Sequence, residues 1–395
     1  MKVEELIRNL AHEDSEIRNS AVESFDAVGE DAVPDLIRLL QHQDKDLCRG
    51  AAWALGQIGD SAKGAVPTLI QAWHHEDSSV RYSAVYALGE IGKGAVPDLI
   101  QALQDQDSYV CKVAVQALGA VGKDAVPALI KLLQGRYENV CPFAIEALGY
   151  IGEDIIPTLM ELLRDRDPVV RSNAVMALGQ IREGAEEAIP DLVELSEDHD
   201  PVVRGKVAVA LGQIGDSAKD AVPTLIQLSQ DEYEQIRESA AWALGQIGDS
   251  AKDVVPALIQ ALQDEHKDVS QSAAIALGCV GEGASDAVPD LIQALQDQDK
   301  YVRQFSASAL GQIGEGASDA VPDLIQALQD QDHQVRMNAA SALGSIGSEV
   351  AVPALIKLLQ DPNAERFGSV SVLEEALGKI GTPEALKAIE EYESQ

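Results

Sequence analysis

Bulky side chains are scarce in this sequence: phenylalanine, tyrosine and tryptophan together make up 4% of the 395 residues, although 46% of the chain is apolar. Alanine, leucine, valine and isoleucine carry the remainder, which suits closely packed helices better than a β-sandwich. Cysteine occurs four times, as Cys48, Cys111, Cys141 and Cys279, and none forms a C-x-x-C pair. A chain of this size needs no disulfide framework, so all four read as free thiols. Long uninterrupted apolar runs are not evident either. The N-terminal MKVEELIRNLAHED reads as an acidic amphipathic helix without an apolar core. Neither a signal peptide nor a membrane-spanning helix is expected, and the chain is placed in the cytoplasm.

Positive charge is also in short supply, with 30 Lys and Arg against 65 Asp and Glu and a formal net charge of −35. Acid spread along the whole length repels phosphate backbones and anionic lipid, so nucleic acid and membrane are disfavoured as partners. It keeps a long apolar array soluble, and it favours a basic partner over an acidic one. Motifs of chemistry are missing as well: there is no G-x-x-x-x-G-K-[ST], H-E-x-x-H or G-x-S-x-G, and helix ends and turns account for the glycines. No catalytic residue, cofactor or metal site is called for.

What is abundant is repetition. The phrase AVPDLIQALQDQD stands unchanged at Ala95 to Asp107, Ala287 to Asp299 and Ala320 to Asp332. The proline of each copy or near-copy recurs at steps of 30, 31 or 33 residues from Pro34 to Pro353. A fixed period of this length marks a stacked array, in which copied words are scaffold and variable positions carry recognition. Each unit reads as two helices, A and B. Helix A opens with proline in its first turn, where a missing N–H costs nothing. Helix B follows a D-x-D turn, as in SSVRYSAVYALGEIG from Ser78 to Gly92, with Asp77 placed to cap it and Gly92 to end it. An inner glycine such as Gly89 costs about 1 kcal/mol in a helix and so predicts a close helix contact.

The AVPxLIxxL of helix A and the D-x-x-V-R-x-x-A-x-x-A-L-G-x-I-G of helix B resemble HEAT repeats, specifically the regular bacterial class called phycobilisome-lyase-like. The resemblance covers nearly all of residues 1–395. It implies an all-α HEAT-repeat solenoid, a right-handed superhelix of about twelve helix pairs closed by a terminal helix from about Pro383. The B helices would form its concave face. It also implies function of two kinds: a protein-interaction scaffold or adaptor, or a phycobilin lyase or phycobiliprotein chaperone subunit. An engineered consensus array and an alkyl-purine glycosylase are weaker alternatives; the acidic charge opposes the second.

The resemblance further implies a ladder between repeats, in which the arginine after the helix B valine (Arg18, Arg81, Arg171, Arg204, Arg237, Arg303, Arg336) pairs with the turn aspartate, here Asp77, Asp107, Asp167 and their equivalents. Cys48, Cys111, Cys141 and Ser270 stand where arginine is expected, and Tyr137, Tyr233 and His266 replace the aspartate. Interruptions are therefore expected in repeats 5 and 9.

With the helix B valine at zero and 100° per residue, positions one before it, two after it and six after it share a sector of about 200° to 260°, opposite the buried alanines and leucine. Aromatic and large apolar residues collect there. Trp53, Tyr82, Tyr86 and Tyr109 occupy consecutive repeats, and Val169, Met176, Val202, Val209, Trp242, Ile275 and Tyr301 continue the stripe. Rigid anchors in a polar surround are how binding surfaces are built, so these eleven residues are the expected contacts for a protein or peptide partner. Trp73 replaces a helix A leucine and reads as core. Cys48, Cys111 and Cys141, one repeat apart, read as small buried side chains rather than a thiol or metal site. His12, His42 and His75, with His74 beside the last, read as solvated turn residues.

Overall fold

A computed structural model describes residues 3–10, 12, 14–72, 75–104, 108–135, 139–182, 184–247, 251–360 and 370–393. Among the described residues all regular structure is helical, and it forms twelve helix pairs followed by a terminal helix, Pro383–Glu393. Contacts concentrate in two compact units, Met1–Ala188 with six pairs and Ile189–Gln395 with six pairs and the terminal helix.

Repeat 3 illustrates how the sequence builds a pair. Helix A, Val66–Ala72, is short; its aliphatic spacing buries Val66, Leu69 and Ala72 on one side. The Asp77 carboxylate accepts from the Ser79 N–H at 2.9 Å and starts helix B, Ser78–Ile91. Gly92, at φ +69, ends it, and a single 3-10 turn, Gly92–Ala95, delivers the chain to the next helix A at Val96. Only glycine takes that dihedral without strain, which is why the turn residue recurs. The same link is a longer 3-10 segment, Gly59–Ala65, one repeat earlier, so the three-residue difference in period is absorbed there.

The alanines and leucine of helix B form the interior, with Val80, Ala84, Ala87 and Leu88 all fully buried. The inner glycine works as its position predicts. A Cβ added to Gly89 would stand 2.8 Å from the Ala120 Cβ of repeat 4, and one added to Gly311 would stand 2.8 Å from the Ala342 Cα of repeat 11. Successive B helices thus approach within backbone distance, and the inner glycines that face a following helix B set the spacing.

The ladder differs from expectation in one respect. Arginine pairs with the first aspartate of the following D-x-D, and the second aspartate caps the helix. Arg204 grips Asp231 with Nε and Nη2 at 2.8 and 3.1 Å, Arg237 grips Asp264 at 2.7 and 2.9 Å, and Arg303 grips Asp330 at 2.7 and 2.9 Å. In each case Nη1 also donates to the backbone carbonyl six residues earlier, Asp198, Asp231 and Asp297 respectively. Tyr233 and His266 therefore replace a cap and leave the ladder whole, because Asp231 and Asp264 remain in place. In repeat 9 the arginine alone is missing; Ser270 Oγ donates to the same carbonyl, that of Asp264, at 3.1 Å. Cys48 Sγ does likewise to His42 O at 3.0 Å. Cys111 and Cys141 are also buried, their thiols near carbonyls of the preceding helix A. Trp73, His74, Asp107 and Tyr137 lie outside the described residues.

The apolar stretch Cys111–Leu133 has the length and composition of a membrane span, contrary to the expectation that no such run exists. It turns at Gly122, φ +69, and restarts at Val126, so it comprises most of one helix B and the next helix A. Of the turn histidines, His12 and His42 are exposed and His75 half-buried. Each Nδ1 accepts, at 3.0 Å, the N–H of the capping aspartate two residues on. They do locally what the first aspartate of D-x-D does in later repeats.

Candidate partner-binding face

In the first unit the stripe begins at a groove of about 320 Å³ between helix B of repeat 1, Ser15–Ser24, and helix B of repeat 2, Lys45–Ile58, lined by Arg18, Asn19, Glu23, Asp46, Arg49 and Trp53 among others. Its charge is balanced internally, since Arg49 pairs with Asp46 at 3.0 Å. Trp53 stacks on Tyr86 of repeat 3 with ring centroids 4.1 Å apart, and Tyr82 stands 6.5 Å from the same indole. Tyr86 lies over Gly56, where an added Cβ would meet its Cε1 at 2.9 Å, and its hydroxyl accepts from Gln57 Nε2 at 3.2 Å. Burial, with Glu90 nearby, pushes the Tyr86 hydroxyl above its usual range.

Consecutive repeats do bring these three aromatics together, but not equally exposed. Tyr82 is 63% exposed, whereas Tyr86 is half-buried where it covers the close approach of two B helices at Gly56, and Trp53 is half-buried against Tyr86. Tyr109 stands on helix B of repeat 4, Ser108–Val121, and its side chain lies outside the described residues. On helix B of repeat 6, Pro168–Ile181, Val169 is exposed and Met176 half-buried. Ser172, also a stripe position, is buried with its hydroxyl donating to Val169 O at 2.9 Å.

In the second unit Val202 is 57% exposed and Val209 half-buried on helix B of repeat 7, Pro201–Ile214. Trp242, on Glu234–Gln246, is half-buried over Gly212, where an added Cβ would meet its Cζ3 at 2.7 Å. Ile275, on Lys267–Val280, and Tyr301, on Lys300–Ile313, are exposed, and Lys300 Nζ sits 5.0 Å from the Tyr301 ring centroid. The large stripe residues whose side chains are described thus stay at least partly accessible, as the helical wheel requires, and Ser172 is a buried exception among the stripe positions.

Several features escaped sequence reasoning. Tyr150 and Tyr233 are exposed aromatics off the three stripe positions, and the Arg204 guanidinium lies 5.7 Å from the Tyr233 ring. A second ladder runs beside the first: the lysine opening one helix B reaches the capping aspartate of the next. Lys45 meets Asp77 at 3.2 Å, Lys267 meets Asp299 at 3.8 Å, and Lys300 meets Asp332 at 3.2 Å. The signal was present as a lysine followed 32 residues later by aspartate, at a position read only as a cap. Hydrogen bonds from the Ser79 hydroxyl, Lys45 and the Ser79 N–H hold the Asp77 carboxyl well below the ordinary carboxylate range. The Glu238 carboxyl, by contrast, is pushed up by burial and by the charge of Asp268.

Among solved structures, yeast importin-beta (Kap95p) is similar over 99% of this chain and 62% of its own, with 17% identity and a TM-score of 0.56. Kap121p bound to the extreme C-terminus of the protein phosphatase Cdc14p is similar over 99% of this chain and 51% of its own, with 15% identity and a TM-score of 0.54. The chain therefore spans between half and two-thirds of those karyopherins, and at such identities the likeness is one of fold alone. The CpcE–CpcF complex of phycocyanin lyase from Nostoc sp. PCC7120 covers 60% of this chain and 94% of its own, with 24% identity and a TM-score of 0.39. No curated protein matches the sequence. The signature of HEAT repeats matches at residues 3–77, 66–141, 126–212, 156–240, 194–278, 255–316 and 288–374, so this chain belongs to the family of HEAT-repeat proteins.

Proposed function

We propose that the chain is a non-enzymatic scaffold whose helix B stripe, taken as the concave face, holds a protein or peptide partner. The observation that carries this reading is the register of large side chains: Val169, Val202 and Tyr301 stay exposed one residue before the helix B valine, and Tyr82 and Ile275 at the other two stripe positions, where a folding requirement alone would permit alanine or a charge. Exposed apolar anchors repeated along one face are costly in water and are relieved by a partner. Karyopherins of the same fold have been solved with protein or peptide bound. The three thiols that share a register, Cys48, Cys111 and Cys141, are buried where no bilin would reach them, and burial pushes the Cys48 thiol up, away from the nucleophilic thiolate; the exposed Cys279 stands outside that register and repeats in no other unit. We therefore favour the scaffold over the lyase.

The test is capture of the partner from the native host with the full chain, followed by titration of variants. Tyr82→Ala and Tyr301→Ala should each weaken binding by about 1 to 3 kcal/mol with the melting temperature nearly unchanged. Unaltered affinity in both would move the binding surface elsewhere.

A further inference from the structure

The turns that start helix B are closed in two chemically different ways. In repeats 6 to 11 the first turn residue is aspartate, and its Oδ1 accepts the backbone N–H two residues on, at 2.7 to 3.1 Å. In repeats 1, 2 and 3 the acceptor is Nδ1 of His12, His42 and His75, each 3.0 Å from the N–H of Asp14, Asp44 and Asp77 respectively. A backbone N–H can only donate, so each Nδ1 is bare and the neutral ring carries its proton on Nε2. The next proton taken up must go to Nδ1. A carboxylate keeps accepting well below neutrality, whereas an imidazole stops accepting once it titrates, ordinarily about pH 6.5.

We propose that His12, His42 and His75 make the first three repeats a pH-sensitive end of the array, held by neutral imidazoles and loosened when these take up protons. The charged groups around the rings do not restore the lost bond. The carboxylates of Asp14, Asp44 and Asp77 already accept from the N–H of Glu16, Asp46 and Ser79, and Asp77 also meets Lys45 of repeat 2 at 3.2 Å. Arg18 Nη1 donates to His12 O, Arg81 Nη1 to His75 O, and the buried Cys48 thiol to His42 O, so two of the three rings have a guanidinium bonded to their own backbone. In the ladder register, allowing for the shorter step after repeat 1, Arg18 and Cys48 correspond to His42 and His75 as Arg204 corresponds to Asp231. An imidazolium can turn toward a carboxylate such as Glu16, Asp46 or Glu76, or stay and set one N–H against another; the turn opens either way. The stabilising bond is thus present above the imidazole titration and lost below it. The loss falls on three successive helix B starts, and repeats 2 and 3 carry the stacked Trp53, Tyr82 and Tyr86.

The test is hydrogen exchange of the full chain at pH 7.5 and 5.5, with protection corrected for the pH dependence of chemical exchange. Repeats 6 and 10, whose helices and intervening turns contain no histidine, are the internal reference. Protection at the helix B starts of repeats 1 to 3 should fall by about three- to tenfold at the lower pH, and in the reference repeats by less than about twofold. His12→Asp/His42→Asp/His75→Asp should keep its protection at both pH values. Asp297→His should move the response into repeat 10. Asp297 accepts the Asp299 N–H at 2.7 Å, and Ser270 stands where its ladder arginine would be, so this exchange breaks no ion pair. It also decides the matter should three added aspartates unfold the first repeats. An equal fall in all repeats, no fall in repeats 1 to 3, a response undiminished in repeats 1 and 2 of the triple variant, or none in repeat 10 of Asp297→His would each overturn the switch.

Discussion

At the scale of single residues, glycine shows most clearly how this sequence specifies its packing. Gly311 and Gly378 stand at equivalent places in repeats 10 and 12, and alanine has the higher intrinsic helix propensity at both. Gly311 faces the Ala342 backbone, where a new Cβ would arrive 2.8 Å from Cα, whereas nothing among the described residues lies within 4 Å of a Cβ at Gly378. Gly311→Ala should cost about 1 to 3 kcal/mol by overpacking, and Gly378→Ala should gain about 0.5 to 1 kcal/mol by propensity alone. Denaturant melts of the two variants decide it, and equal signs would refute the spacer role. The stripe aromatics make a graded case. Leu88 is fully buried, so Leu88→Ala should cost about 2 to 5 kcal/mol. Trp53, half-buried against Tyr86, should cost about 1 to 2 kcal/mol when cut to alanine, and exposed Tyr82 almost nothing. If Trp53→Ala matched Leu88→Ala in thermal melts, Trp53 would belong to the core.

At the scale of helices and their connections, most of the architecture could be read in advance. Period, proline at the head of helix A, glycine after helix B and the inner glycine all act within one repeat, where spacing alone reveals them. The ladder was harder because its partners lie 27 residues apart, and both aspartates of D-x-D look equally suited to arginine. Only the geometry separates them: the second accepts the helix N–H groups as a cap, leaving the first free to face the arginine of the preceding repeat. Burial alone would raise Asp264, but the Arg237 guanidinium and the His266 N–H more than offset it and hold the carboxyl below its ordinary value; Asp231 and Asp330 behave alike with Arg204 and Arg303. A carboxylate with a depressed native pKa contributes stability that is complete above its unfolded value of about 4 and is lost as pH falls through the native value. Melting temperature should therefore hold steady from this source above about pH 5 and drop below about pH 4. Arg237→Ala leaves Asp264 and the Asp231 carbonyl without their cation and should cost about 2 to 3 kcal/mol at neutral pH. Its acid-induced loss should be smaller than that of the unaltered chain. Parallel acid slopes in the two proteins would show that the ladder does not carry the pH dependence.

At the scale of the whole molecule, charge is the property that most directly shapes encounter with a partner, and it was legible from composition. Which carboxylates matter was not. Asp46 and Asp268 hold the same place in their repeats, and only their neighbours tell them apart: Arg49 pairs with the first, whereas the charge of the second helps to push up the Glu238 carboxyl. The remaining acid acts at a distance. A net charge of −35 draws a cationic partner toward the surface before any contact forms, and that attraction fades as the Debye length shrinks from about 17 Å near 0.03 M salt to about 5 Å near 0.3 M. Docked side chains sit inside that distance and are screened less. Stopped-flow association of a twelve-residue peptide alternating lysine with leucine should thus slow by about tenfold or more across that range while dissociation changes only a few-fold. A variant with Glu315→Gln and Asp319→Asn, both exposed in the connecting turn Gly314–Ala320, should retain nearly the same salt slope, because it removes two charges from a net −35. An association rate that does not change with salt would mean that the acid serves solubility alone and takes no part in bringing the partner to the helix B face.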